Sequence, residues 1–158
     1  CELSLGRFSN VSEEKKKDLI ELLKKEGAII ANGDINDISS IVNALDGGVD
    51  TILSVLGSAE IGFQFNLIEA AKKVESVKRI IPSEFGFDST KIPEDSLLAT
   101  KKKVLNSIIE AGFDYTIICN GGFYEFFCGP LFGFDHEKGE LDLPGNGHEV
   151  IFTTHTSD

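Results

Sequence analysis

One lysine stands where a side chain could perform acid–base chemistry. At about 3.6 residues per turn, Lys101 points along the centre of an apolar helical stripe, whereas Lys102 and Lys103 project away from it. The stripe consists of Leu97, Leu98, Val104, Leu105, Ile108 and Ile109. A lysine there is costly unless it works in a cleft, where burial lowers its pKa, or extends its ammonium from the rim into water. Helix geometry alone leaves both interpretations open.

The elements that would position this lysine alternate along the chain. Helices are predicted from apolar periodicity and capping residues over Ser12 to Gly27, Asp37 to Gly47, Ile61 to Val74 and Ser96 to Gly112. The first of them is expected to bury Leu19, Leu22 and Leu23. Strands are predicted at Glu2 to Leu5, Ala28 to Ala31, Asp50 to Leu56, Val77 to Ile81, Tyr115 to Cys119 and Glu149 to Thr153. This alternation predicts one α/β domain, residues 1–158, around a parallel sheet that is covered on both faces.

Small and polar residues follow several of the predicted strands. In open parallel sheets, ligands bind at the carboxyl ends of the strands, so these residues are candidates for a site. They are Arg7, Asn32 to Asp34, Gly57 and Ser58, Ser83 to Gly86, and Asn120 to Phe123. Lys101 belongs to the helix that leads into the last of these strands.

Composition excludes several classes of function. The 158 residues carry a net charge of −11, which disfavours binding to nucleic acid. No run approaches the roughly 18–20 apolar residues of a membrane span. Three cysteines without a CxxC spacing fit neither a disulfide framework nor a zinc site, and the three histidines show no ligand spacing, so no metal is expected. A reducing, cytoplasmic location is the natural expectation.

Three motifs resemble one protein family. Arg79 to Gly86, with the sequence RIIPSEFG, is similar to the signature strand and turn of the NmrA-like, isoflavone reductase-like proteins, which are atypical short-chain dehydrogenases/reductases. Gly33 to Asp37 followed by two serines resembles the family's GD-x-x-D turn. Lys101, with Ile108, Gly112, Tyr115 and Thr116 in register, resembles its catalytic helix. The resemblance runs from about Arg7 to Thr154.

The resemblance implies a Rossmann-like, doubly wound parallel sheet that binds NADP(H), followed by a smaller substrate-binding part that residues 123–158 lead into. It implies an NADPH-dependent reductase of small aromatic or phenylpropanoid-like substrates, with Lys101 as general acid/base. It is also compatible with a homodimer. Cofactor-binding residues carried over from the family are Arg7 and Lys16 for the 2′-phosphate, Asp34 beside the adenine, and Gly57, Ser83, Glu84, Phe85, Asn120 and Phe123 around the nicotinamide half. Asp34 has an alternative interpretation, a turn residue that satisfies its own backbone.

The family's G-x-G-x-x-G loop is not found in these residues. The chain is therefore expected to be a fragment that lacks the first βα unit and most of the substrate region, with an incomplete sheet. The 158 residues alone are expected to bind NADP weakly or not at all. Two alternatives to the reductase remain: a non-catalytic, NADP-sensing regulator of the NmrA type, and an inactive truncated product.

Overall fold

A computed structural model describes residues 13–91, 93–96, 98–127, 134–135, 137–141, 146, 148, 150 and 152–157. Its α-helices are α1 (Glu13–Lys25), α2 (Ile38–Leu45), α3 (Gln64–Ala71), α4 (Ala99–Glu110) and α5 (Tyr124–Phe127). Short 3₁₀ helices span Ser58–Phe63 and Ser89–Lys91. Its strands are β1 (Thr51–Leu53), β2 (Arg79–Ile81), β3 (Asp114–Tyr115), β4 (Gly122–Phe123), β5 (Phe134–Asp135), β6 (Glu140–Leu141) and β7 (Thr153–Thr154).

The central sheet is parallel and has the order β1-β2-β3. Ile52 is in register with Ile80, and Ile80 with Tyr115. Helix α3 connects the first pair of strands and α4 the second, which is the βαβ arrangement of a Rossmann-like fold. The predicted α/β class with a parallel sheet is confirmed.

Local signals set the ends of the helices. Asp37 caps α2, because its Oδ1 accepts a hydrogen bond from the Ser39 amide at 2.9 Å. After α4 the chain turns at Gly112 with a φ of +78°, a left-handed conformation that suits glycine. The predicted cap and the predicted stop are therefore both present.

The hydrophobic core lies between the sheet and helices α2, α3 and α4. Ile52 and Ile80 point to the same face of the sheet and join a cluster of buried side chains from the three helices. The fully buried members of that cluster include Ile41, Ile68 and Ile108. On the other face, Leu53 is 54% exposed. The described residues thus cover one face of the sheet, whereas the sequence predicts a sheet covered on both faces.

Three expectations about the first third of the chain require correction or lie outside the described residues. Of the strand predicted at Ala28 to Ala31, only Ile29 forms a β-bridge, and it is 58% exposed. Among the described residues, this segment is not paired with β1, β2 or β3. Leu19 and Leu22, expected to be buried, are 37% and 55% exposed because the described residues do not cover that face of α1. The predicted strand Glu2 to Leu5 lies outside the described residues.

The later strands are shorter than predicted, because a strand extends only as far as its neighbour pairs with it. β3 has two residues, Asp114 and Tyr115, and its partner β2 has three. Farther on, β4 pairs in parallel with β7, so the loop after Asn120 is tied to the segment around Thr153 and Thr154. The strand predicted at Glu149 to Thr153 corresponds to β7, shifted toward the carboxyl terminus.

Candidate active site

The bend that follows β2 is fixed by buried polar contacts. Ser83, 4% exposed, donates from its amide to Gln64 Oε1 at 2.8 Å and from its hydroxyl to the Leu56 carbonyl at 2.7 Å. Gln64, 2% exposed, also donates from Nε2 to the Ile61 carbonyl at 3.3 Å. These contacts tie the carboxyl ends of β1 and β2 to the start of α3, so the bend is anchored on two sides.

The bend then passes through a strained residue. Phe85 has a φ of +31°, which is unfavourable for a residue with a side chain, and strain of this kind concentrates at functional sites. Gly86 follows, and a Cβ on it would lie 3.7 Å from Lys101 Nζ. Gly86 therefore lies directly beside the lysine.

Lys101 lies at this bend. It is half-buried in the first turn of α4, and Val104, Leu105 and Ile108 on the same stripe are buried. Its Nζ donates a hydrogen bond to the Glu84 carbonyl. Of the other members of the stripe, Leu98 is half-buried, Ile109 is 48% exposed and so departs from the prediction, and Leu97 lies outside the described residues.

Burial lowers the pKa of Lys101, and the negative charge of Glu84, together with that of Cys119 when its thiol is ionised, partly opposes this by raising it. Cys119 is a free, exposed cysteine. Its own pKa is raised, mainly because neighbouring atoms partly desolvate the thiol and then because Asp88 and Glu84 are negatively charged. The lowered pKa brings Lys101 closer to the range in which a side chain exchanges a proton efficiently.

The loop after β3 forms the opposite side of the site. The Gly121 amide donates to the Gly86 carbonyl at 3.1 Å, which joins this loop to the bend. The Asn120 carbonyl accepts from Thr154 Oγ1 at 2.6 Å. Asn120 Oδ1 is buried and has no hydrogen-bond partner in the part of the chain that the structure describes. A buried acceptor of this kind calls for a donor from a ligand or a water molecule.

Gly121 leaves no room for a side chain. Its φ is +72°, and a Cβ on it would lie 2.2 Å from the Phe152 carbonyl oxygen. The neighbouring Gly122 amide donates to the same carbonyl at 2.9 Å. The glycine pair between Asn120 and Phe123 thus allows the segment around Phe152 to approach the loop.

The other predicted cofactor residues are placed as follows. Gly57 precedes the 3₁₀ helix Ser58–Phe63 and is exposed, and a Cβ on it would meet no described atom within 4 Å. Phe123 is half-buried in β4. Arg7 lies outside the described residues, and so does the side chain of Lys16, whose backbone belongs to α1.

Asp34 forms a turn at the approach to α2. Its Oδ1 accepts from the amide and the side-chain nitrogen of Asn36, both at 2.9 Å, and its own amide donates to Ser40 Oγ at 2.9 Å. These contacts match the alternative interpretation of Asp34 as a turn residue. The structure thus brings Ser83, Glu84, Phe85, Lys101 and Asn120 together.

Sequence analysis missed two residues of this site. Gln64 falls three residues after Ile61 and four before Ile68, on the inward side of the predicted helix, so a polar residue at a buried position was the available signal. Ser89 is fully buried, and its amide donates to Glu84 Oε1 at 2.9 Å. No periodic pattern indicated this contact, because Ser89 begins a 3₁₀ helix of only three residues in the connection between β2 and α4.

No group of three or more histidine, cysteine, aspartate or glutamate side chains among the described residues is arranged to hold a metal ion. No helix in the described ranges has both the length and the apolar character needed to cross a membrane.

The sequence is similar to known proteins of one family. The sequence profile of the NmrA-like family matches residues 8–153. The chain is 36% identical over 129 residues to a phenylcoumaran benzylic ether reductase of Ginkgo biloba, an alignment that covers 79% of this chain and 42% of the relative.

Solved structures show the same similarity. The complex of leucoanthocyanidin reductase with NADPH from Vitis vinifera superposes with a TM-score of 0.67 at 28% identity, over 80% of this chain and 43% of that chain. AtPrR2 with NADP⁺ and (+)-pinoresinol superposes with a TM-score of 0.68 at 29% identity, over 82% of this chain and 44% of that chain. The chain thus spans less than half the length of the relatives it matches.

Proposed function

The chain belongs to the NmrA-like family, and on that premise we propose that the protein containing it is an NADPH-dependent reductase of small aromatic, phenylpropanoid-like substrates. Lys101 is the general acid/base in this proposal. The observation that carries it is the half-buried Lys101 ammonium, held at the bend after β2 at the carboxyl edge of the parallel sheet. The relatives support the substrate class, since their names describe reductases of benzylic ethers and leucoanthocyanidins.

The described residues fit the nicotinamide end of the cofactor. Asn120 Oδ1 is a buried acceptor without a partner among them, and a carboxamide NH₂ group would satisfy it. Gly57 leaves open space beside the end of β1. The family assigns the 2′-phosphate to Arg7 and Lys16, and an arginine and a lysine have the charge to bind it.

The chemistry divides between cofactor and protein. When bound, NADPH supplies a hydride. Lys101 holds a proton on Nζ at the same edge of the sheet and transfers it to the substrate oxygen on which negative charge develops. The Glu84 carbonyl favours the protonated lysine before transfer by accepting its hydrogen bond, and burial favours the neutral lysine afterwards.

Partners and location complete the proposal. The partner is a small-molecule substrate, and the net charge of −11 disfavours a nucleic-acid partner. A homodimer and a cytoplasmic location stay predictions.

The test is to express the full-length protein and follow NADPH oxidation with aromatic ethers, enones and quinones. Lys101→Ala is expected to lower kcat by roughly 10²–10⁴-fold, the usual contribution of a general acid/base. NADPH binding, followed by nicotinamide fluorescence, is expected to persist. Lys103→Ala is the matched control, because Lys103 is exposed on the same helix, and it should leave kcat unchanged.

Two results would contradict the proposal. Lys101→Ala with full turnover would exclude the lysine from the chemistry. A wild-type protein that binds NADPH but oxidises it with none of these substrates would instead favour the regulator alternative.

A further inference from the structure

Glu84 occupies an unusual position for a carboxylate. Only 1% of its surface is exposed, and burial of a charged group is costly unless hydrogen bonds or an opposite charge compensate for it. Oε1 accepts a hydrogen bond from the Ser89 amide at 2.9 Å. This bond closes the connection between residues 84 and 89 on itself, so the side chain of Glu84 holds the segment that carries its own carbonyl group.

The same residue faces Lys101 with two groups. The main-chain carbonyl of Glu84 accepts the hydrogen bond from Lys101 Nζ. The side-chain carboxylate is close enough for its charge to favour the protonated lysine. The bend itself is strained at Phe85, with a φ of +31°, so its shape depends on contacts that hold it in place.

The other charged groups around Lys101 are few in the described structure. Cys119, from the loop after β3, acts on Lys101 in the same direction as Glu84 when it is ionised. Asp88 and Lys91, at the far end of the connection, act with opposite signs on Cys119. Of the two groups whose charges act directly on Lys101, Glu84 has the larger effect on its pKa and Cys119 the smaller.

We propose that Glu84 is the positioning residue for Lys101. Its buried carboxylate holds the 84–89 connection through Ser89 and favours the ammonium by its charge, and its carbonyl accepts the hydrogen bond that fixes Nζ at the carboxyl edge of the sheet. This role differs from a wall of the cofactor site, and it rests on the proposed function of Lys101 as acid/base.

The test compares Glu84→Gln with the wild-type intact protein by NMR of ¹³C-labelled lysine side chains, with the Lys101 signal assigned from Lys101→Gln. Glutamine keeps the size of the side chain and an acceptor for Ser89, but it removes the charge. Loss of that charge is expected to lower the pKa of Lys101 measurably. The alkaline limb of kcat/KM should move in the same direction. Glu110→Gln is the control, since Glu110 is exposed at the other end of α4 and should leave the titration unchanged.

A titration of Lys101 that is the same in Glu84→Gln as in the wild type would overturn the proposal. Failure of the proposed function is distinguishable from this outcome. If Glu84→Gln shifts the titration while Lys101→Ala retains turnover, the positioning role stands and the catalytic role falls.

A second measurement does not require Glu84→Gln to fold. The amide nitrogen of Phe85 is bonded to the Glu84 carbonyl carbon, so in the wild-type protein its chemical shift should follow the titration of Lys101. That inflection should disappear in Lys101→Gln. A flat Phe85 profile in the wild type would mean that the carbonyl does not hold the ammonium, and the proposal would be wrong.

Discussion

Replacement of Gln64 tests whether the bend depends on its buried hydrogen bonds. Gln64→Leu keeps most of the volume of the side chain but removes the acceptor for the Ser83 amide, which lies 2.8 Å from Oε1. The Ile61 carbonyl keeps a donor, because the Gln64 backbone amide also bonds to it. The main loss is therefore one buried, unpaired N–H group.

The expected loss in the free energy of unfolding follows from this unpaired group. A buried donor without a partner costs about 1–3 kcal/mol, so Gln64→Leu is expected to lower the free energy of unfolding by about 2 kcal/mol. Gln64→Ala adds a cavity at a position that is 2% exposed, and its loss is expected to be about 3 kcal/mol. Urea denaturation followed by circular dichroism measures both values.

Asn106→Ala provides the control, because Asn106 is exposed on α4 and its removal should change stability by no more than about 0.5 kcal/mol. The reasoning would be refuted if Gln64→Leu were as stable as the wild type. In that case the Ser83 amide would have another partner, and the bend would not depend on Gln64.

Three further predictions concern the loop, a cap and pH. Gly121→Ala should lower the free energy of unfolding by about 2–4 kcal/mol in urea denaturation, because its Cβ would collide with the Phe152 carbonyl and φ is +72°. Asp37→Ala should cost about 1 kcal/mol in thermal unfolding through loss of the α2 cap. Lys101→Met should remove a rise in stability with pH that the wild type shows between the lowered pKa of Lys101 and its ordinary value of 10.5, because unfolded Lys101 binds more protons there.

Matched variants separate the causes in each case. Gly112 has a φ of +78° but open space around it, so Gly112→Ala should show only the conformational cost of about 1–2 kcal/mol. A loss in Gly121→Ala no larger than that would exclude the collision. Asp37→Asn should preserve stability, and a loss equal to that of Asp37→Ala would argue against the cap. Equal pH slopes for wild type and Lys101→Met, measured by urea denaturation, would mean that the pKa of Lys101 is not lowered by folding.

Features set by neighbouring residues were predictable from the sequence. The cap at Asp37 and the turn at Gly112 depend on hydrogen bonds and dihedral angles within a few residues, so the residue type carries the information. The stripe through Lys101 depends on the helical period alone. These signals identified α2, α4 and the lysine that contacts the bend.

Features set by pairing in space were not predictable in the same way. The length of β3 depends on how much of β2 it meets, and in the described part of the chain the segment around Ile29 contributes a single bridge rather than a strand of the central sheet. The hydrogen bonds from Ser83 to Gln64 and from Ser89 to Glu84 join an irregular connection to its surroundings. No periodic pattern encodes such contacts, so the bend was identified by resemblance but its anchoring was not.

The position of Lys101 sets opposing effects against each other. Burial and the positive end of the α4 dipole disfavour its ammonium, while the carbonyl and the carboxylate of Glu84 favour it. The net pKa is lowered, so the disfavouring effects are the larger ones. A general acid needs both kinds of effect, because contacts that favour the ammonium hold the proton before transfer and burial favours the neutral amine that remains after it. Loss of the Glu84 charge and loss of burial must therefore move the pH profile in opposite directions, which a purely structural role for either would not produce.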